Sequence, residues 1–82
     1  MKILITGGLG FIGSNIAKKF ISDKKNVVTL IDNLDINCGG NLFNIESFKD
    51  DLELVKADIC DKKLVQEIIK DKDLIINCAA IS

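Results

Sequence analysis

Residues 1–14 constrain the fold of this chain more than any other stretch. Met1-Lys2-Ile3-Leu4-Ile5 is a short apolar run of the kind that forms a buried strand. Thr6-Gly7-Gly8-Leu9-Gly10-Phe11-Ile12-Gly13-Ser14 follows it, and from there to Asp23 the apolar residues Ile12, Ile16 and Phe20 fall at helical spacing. A strand therefore stops, the backbone turns on glycines, and a helix starts near Phe11 and runs to about Ser22. Gly7, Gly10 and Gly13 lie three residues apart, a spacing variant of the glycine fingerprint found between a strand and a helix. One glycine permits the tight turn, one lets the backbone approach a pyrophosphate, and one lets the helix pack closely on the strand. The helix N-terminus then offers unpaired N–H groups and a partial positive charge to the phosphates.

A glycine pattern alone is weak evidence, because a strand-to-helix turn can carry it without any ligand. The next stretch strengthens it. Val27-Val28-Thr29-Leu30-Ile31 is a second apolar strand, and it ends in Asp32, nineteen positions after Gly13. That separation is close to the ~20 expected for a carboxylate that accepts hydrogen bonds from an adenosine ribose.

Strand and helix continue to alternate. Asp23-Lys24-Lys25-Asn26 is a polar turn before the second strand. Asn33 to Gly40 is an Asn-, Asp- and Gly-rich loop, and Asn41 to Phe48 reads as a short helix with Leu42, Ile45 and Phe48 on one side. Lys49-Asp50-Asp51 turns the chain into a third strand, Leu52 to Val55, less apolar than the others and expected toward the sheet edge. Lys56 to Asp61 is a loop whose last residue caps a helix over Lys62 to Lys70, with Leu64, Val65, Ile68 and Ile69 as its apolar stripe. Leu74-Ile75-Ile76 is the fourth strand. The pattern predicts an α/β fold, a Rossmann-like doubly wound parallel sheet of four strands in the order 3-2-1-4 with right-handed crossovers. The chain reverses direction across the sheet between strands one and four, and ligands bind at such a switch point, outside the carboxyl ends of the strands. The glycine loop, Asp32, Asp58 and the segment Asn77 to Ala80 all fall at those ends.

Composition bounds the function. The 82 residues suffice for one small domain. A hydrophobic fraction of 48 % with 28 % charged residues marks a globular chain. The net charge of −1 is spread along it, with no basic stripe of the kind nucleic acid requires. No apolar run reaches the length of a membrane span, and the glycine at position 7 interrupts anything resembling a signal peptide, so a cytoplasmic location is expected. All eleven basic residues are lysines, and histidine, tyrosine, tryptophan and proline are absent, which removes the commonest general acids and bases. Cys38, Cys60 and Cys78 show no metal-ligand spacing and read as reduced thiols.

Four ordered motifs, Thr6 to Ser14, Ile31-Asp32-Asn33-Leu34, Ala57-Asp58-Ile59 and Cys78-Ala79-Ala80, resemble the extended short-chain dehydrogenases/reductases. The similarity is greatest to NAD-dependent nucleotide-sugar epimerases and dehydratases of the UDP-glucose 4-epimerase type. The resemblance implies NAD as cofactor and assigns roles along it. Gly7, Gly10 and Gly13 would line the pyrophosphate, with Phe11 and Ile12 contributing backbone contacts. Asp32 would accept from the ribose hydroxyls, with Asn33 and Leu34 beside that ribose. Asp58 would accept from the adenine amino group and Ile59 would pack on the ring. Cys78, Ala79 and Ala80 would run along the middle of the cofactor. The family usually carries a histidine where Asn77 stands and a larger apolar residue at Cys78. Its catalytic Tyr-x-x-x-Lys is absent, since the chain has no tyrosine.

The resemblance implies that residues 1–82 form the N-terminal part of an NAD-binding Rossmann domain, without the catalytic and sugar-nucleotide-binding parts, and inactive alone. In the intact enzyme NAD would take a hydride from the sugar and return it. The alternative is a self-sufficient, non-catalytic dinucleotide-binding module. The fourth strand, apolar on both faces, is built for a sheet interior. Left as an edge, it would template pairing with a second chain, so poor solubility, partial unfolding or association through this edge, together with weak NAD binding, is expected of this chain.

Overall fold

The structure is a computed structural model, and it describes residues 1–7, 10–32, 45–57 and 61–78. Their elements, in order, are β1 (Lys2–Thr6), α1 (Phe11–Ile21), β2 (Val27–Asp32), a 3-10 turn (Lys49–Asp51), β3 (Glu53–Lys56), α2 (Lys62–Ile69) and β4 (Leu74–Asn77). The four strands pair in parallel as one sheet in the order β3-β2-β1-β4, the arrangement expected from the alternation of elements.

Register decides which residues share a face. Ile3 lies beside Val28 and Leu74, and Ile5 beside Leu30 and Ile76. These residues join Ala17, Ile45 and Phe48 in and around the main core, against which Ile16, Phe20 and Ile21 of α1 also pack. Each fully buried aliphatic side chain there contributes about 1.5–3 kcal/mol relative to exposure. On the opposite face Leu4 and Ile31 are equally buried, which explains why β1 and β2 are apolar at nearly every position. Right-handed crossovers put α1 and α2 on opposite faces of the sheet. Asp61 starts α2 as expected, its carboxylate accepting from the Leu64 N–H at 3.3 Å.

One expectation needs correction. Ile12 is not on the inward face of α1. It is 69 % exposed, while Gly13, Ser14 and Ala17 are buried. The working stripe is Gly13, Ile16, Ala17, Phe20 and Ile21, the i, i+3, i+4, i+7, i+8 pattern of a core-facing helix; Ile12 stands about 100° away from it, one residue's rotation. A short helix is also expected over Asn41 to Phe48. Positions 41–44 lie outside the described residues. Of the remainder, Ile45 has 3-10 conformation and 46–48 form a turn, with the Phe48 N–H donating to the Ile45 carbonyl at 2.9 Å. Ile45 and Phe48 are nevertheless buried as expected. One i→i+3 bond joins the two residues whose side chains point inward.

Candidate functional site

The carboxyl ends of β1, β2 and β4 lie side by side, and each strand's ladder runs one residue past its end. The Gly7 N–H donates to the Ile31 carbonyl at 2.7 Å, the Cys78 N–H to the Thr6 carbonyl at 2.9 Å, and the Ala57 N–H to the Asp32 carbonyl at 3.1 Å. These bonds bring the glycine turn, Asp32, the β3 exit and the β4 exit to one edge, at the switch point between β1 and β4.

The glycine turn begins at Gly7, whose φ of 69° lies in the left-handed region. Its carbonyl accepts from the Gly10 N–H at 3.1 Å, which closes the turn. Gly10 is the N-cap of α1 and has ordinary extended geometry, φ −71° and ψ 166°. A Cβ built there would meet the Gly7 carbonyl oxygen at 3.4 Å, an ordinary van der Waals contact. Among the described residues, chain neighbours apart, no other atom comes within 4 Å of that position. Among the described residues no side chain caps α1, and its first turn carries no acidic residue. The first intrahelical bond there runs from the Ser14 N–H to the Gly10 carbonyl at 2.9 Å. The N–H groups of Phe11, Ile12 and Gly13 precede that bond and lie at the positive end of the helix dipole. The Ser14 hydroxyl and the Asn15 amide both donate to the Phe11 carbonyl, at 3.0 and 2.7 Å, so neither competes for those N–H groups. The Phe11 side chain is 77 % exposed beside them.

Asp32 ends β2 and is 8 % exposed, a carboxylate drawn into the sheet edge beside this turn. On the other side of β1, the Thr6 hydroxyl donates to the Asn77 side-chain oxygen at 2.6 Å. Position 77 lay at the converging edge in the sequence but was given no partner. The signal for one was a hydroxyl residue at the end of an otherwise apolar strand. Cys78 is a free thiol, half-buried at the edge of the core. Of the residues marked by sequence, Gly7, Gly10, Phe11, Ile12, Gly13, Asp32 and Cys78 are thus gathered at one end of the sheet. Asn33, Leu34, Asp58, Ile59, Ala79 and Ala80 lie outside the described residues.

A surface depression of about 430 Å³ opens at the opposite end of the sheet, between Met1, Lys2, Lys25, Val27, Asp71 and Asp73. It sits at the amino ends of the strands and mixes both charge signs. Asp71 there is hydrogen-bonded by Lys72 at 2.7 Å, which with Lys2 holds its carboxyl below the ordinary value. Among the described residues no group of His, Cys, Asp or Glu is arranged to hold a metal, and no helix is long and apolar enough to cross a membrane.

Comparison with known proteins agrees with this geometry. The family model described as GDP-mannose 4,6 dehydratase matches residues 4–82. The low-salt glycan biosynthesis protein Agl12 of Haloferax volcanii is 36 % identical over 84 aligned positions, covering 100 % of this chain and 26 % of that protein. Among solved structures, dTDP-glucose 4,6-dehydratase from Bacillus anthracis in complex with NAD superposes with a TM-score of 0.87 at 37 % identity, covering 99 % of this chain and 27 % of the other. UDP-glucuronic acid 4-epimerase from Bacillus cereus, in complex with UDP-glucuronic acid and NAD, gives 0.83 at 28 % identity, covering 100 % and 27 %. The chain thus spans about a quarter of the length of the relatives it matches.

Proposed function

The chain belongs to the GDP-mannose 4,6-dehydratase family, and on that premise we propose that it is the NAD-binding portion of a nucleotide-sugar dehydratase or epimerase. The observation that carries this reading is the junction of Gly7, Gly10 and α1 beside Asp32. A glycine turn, a helix N-terminus that receives no side-chain cap from its N-cap residue and a recessed carboxylate meet at the switch point. The NAD-bound neighbours support the choice of dinucleotide.

In this reading the backbone at Gly7, Gly10 and Gly13 receives the pyrophosphate, with the N–H groups of Phe11 and Ile12 directed at its oxygens. Asp32 accepts from the adenosine ribose hydroxyls, flanked by Asn33 and Leu34. Asp58 and Ile59 hold the adenine, and Cys78, Ala79 and Ala80 line the middle of the cofactor. NAD supplies the hydride acceptor, while a sugar nucleotide engages parts that the longer relatives carry. With no tyrosine or histidine, this chain has neither of the two commonest groups for moving the proton of a sugar hydroxyl. A cytoplasmic setting accompanies this reading, supported by the free thiol at Cys78 and by the cofactor class.

Asp32 also determines cofactor choice. Its charge repels a 2′-phosphate, and no arginine exists to receive one. Calorimetric titration is expected to show tighter binding of NAD than of NADP, with Asp32→Ala weakening NAD and narrowing the difference. Equal or tighter NADP binding by the unmodified protein counts against the assignment.

A further inference from the structure

We propose that Ser14 and Asn15 are positioning residues for the pyrophosphate. Together they hold the peptide group between Phe11 and Ile12 with its N–H aimed out of the helix end, and so set the strength with which that N–H meets a phosphate oxygen. The proposal deepens the NAD-binding reading above and rests on it.

The geometry lies wholly within α1. The Ser14 hydroxyl donates to the Phe11 carbonyl at 3.0 Å, and the Asn15 side-chain amide donates to the same oxygen at 2.7 Å. That carbonyl and the Ile12 N–H belong to one planar trans peptide, so they point in opposite directions. Two donors on the oxygen fix the plane of the group. They also draw electron density toward the oxygen, which makes the N–H on the other side a better donor. That N–H points away from the body of the helix, because the first ladder bond runs from the Ser14 N–H to the Gly10 carbonyl and Ile12 precedes it. Packing does not hold this peptide: the Phe11 and Ile12 side chains are 77 % and 69 % exposed. The two polar side chains from the next turn do so instead.

Helix propensity does not explain either residue. Alanine is the better helix former at both positions, and serine and asparagine inside a helix are ordinarily neutral to unfavourable. Ser14 is 4 % exposed, so its bond is shielded from water. Asn15 is exposed, yet its amide turns back onto the first carbonyl of α1. Neither brings a charge that would compete with an anion.

The experiment compares Ser14→Ala, Asn15→Ala, the double variant and Asn15→Ser with the unmodified chain. The readouts are calorimetric titration with NAD, ADP and adenosine, thermal melting, and the amide proton shift of Ile12. Each alanine variant is expected to weaken NAD and ADP about twofold, the scale of a change of roughly 10–30 % in one bond to a charged group, and the double variant about fourfold. Adenosine, which has no pyrophosphate, should bind unchanged. The Ile12 amide proton should move upfield, and the melting midpoint of Asn15→Ala should not fall. Asn15→Ser, whose hydroxyl reaches the same i−4 carbonyl, is expected to restore the affinity and the shift. A merely structural role would lower the melting midpoint and weaken all three ligands alike. Unchanged ADP affinity, equal losses for ADP and adenosine, or an Ile12 amide that does not move would each overturn the proposal. If the unmodified chain binds none of the three ligands, the NAD-binding reading fails and the proposal with it. If it binds them and the variants do not separate ADP from adenosine, the proposal alone fails. Should Ser14→Ala fail to fold, the two variants at exposed Asn15 decide the question.

Discussion

A Cβ at position 7 would sit on a backbone with φ of 69°, while one at position 10 would sit on ordinary extended geometry at 3.4 Å from its nearest neighbour. The two glycines should therefore fail in different ways. Gly7→Ala is expected to cost about 1–2 kcal/mol of stability, the penalty of the left-handed region for a residue with a side chain. Gly10→Ala should leave thermal unfolding nearly unchanged and weaken NAD by an order of magnitude or more, because the added methyl occupies the approach to the pyrophosphate. Paired melting curves and titrations on the two variants check this. Equal loss of stability in both would show that position 10 serves the fold and not the ligand. Asp32 belongs to the same scale: a carboxylate 8 % exposed at a strand end has its functional meaning only because the glycine turn lies beside it.

Among the elements, α2 is the most sensitive to a single polar contact. It has eight residues and no fully buried side chain, and its N-terminus is closed by the Asp61 carboxylate on the Leu64 N–H. A helix this short is not stable by propensity, so it depends on that cap and on the half-buried stripe of Leu64, Val65, Ile68 and Ile69. Asp61→Ala should cost about 1 kcal/mol. In a domain of this size that lowers the melting midpoint by roughly 4–8 °C, while Asp61→Asn should recover most of the loss. Circular dichroism melts on the two variants give the comparison, and an alanine variant that melts with the parent would mean the cap is replaced. Helix α1 behaves differently: it has no side-chain cap among the described residues, and its anchor is the packing of Ile16, Ala17, Phe20 and Ile21 on the sheet. The uncapped end is what leaves its N–H groups available to phosphate.

At the scale of the molecule, the sheet is closed on neither side among the described residues. Strand β3 is an edge, short and flanked by Glu53 and Lys56, which discourages pairing. Strand β4 is the other edge and is aliphatic at three of its four positions, with Ile75 48 % exposed. Ile75 is one of the exposed large hydrophobics among the described residues, and an apolar strand edge is a template for pairing. We expect the chain to associate through β4. Sedimentation velocity should show a coefficient that rises with concentration for the unmodified chain and stays flat for Ile75→Lys. A monomer over the whole range would show that β4 is protected without a partner.

The alternation of apolar runs and amphipathic stretches was enough to place four strands and two helices and to order the sheet, because one chirality rule and one switch of direction leave few ways to arrange them. The glycine spacing and Asp32 were legible for the same reason: turn geometry and strand-end charge are local, and their meaning depends on nearby positions. The inward face of α1 was not legible, since Ile12 and Ile16 are equally apolar and only docking on the sheet selects the stripe that begins at Gly13. Burial of Ile45 and Phe48 was legible from their spacing, although the same burial fits either a short helix or a turn, and positions 41–44 lie outside the described residues. The Thr6–Asn77 bond joins residues 71 positions apart. It exists because β4 pairs with β1 in one particular register, a property of the folded sheet that no local run of residues carries.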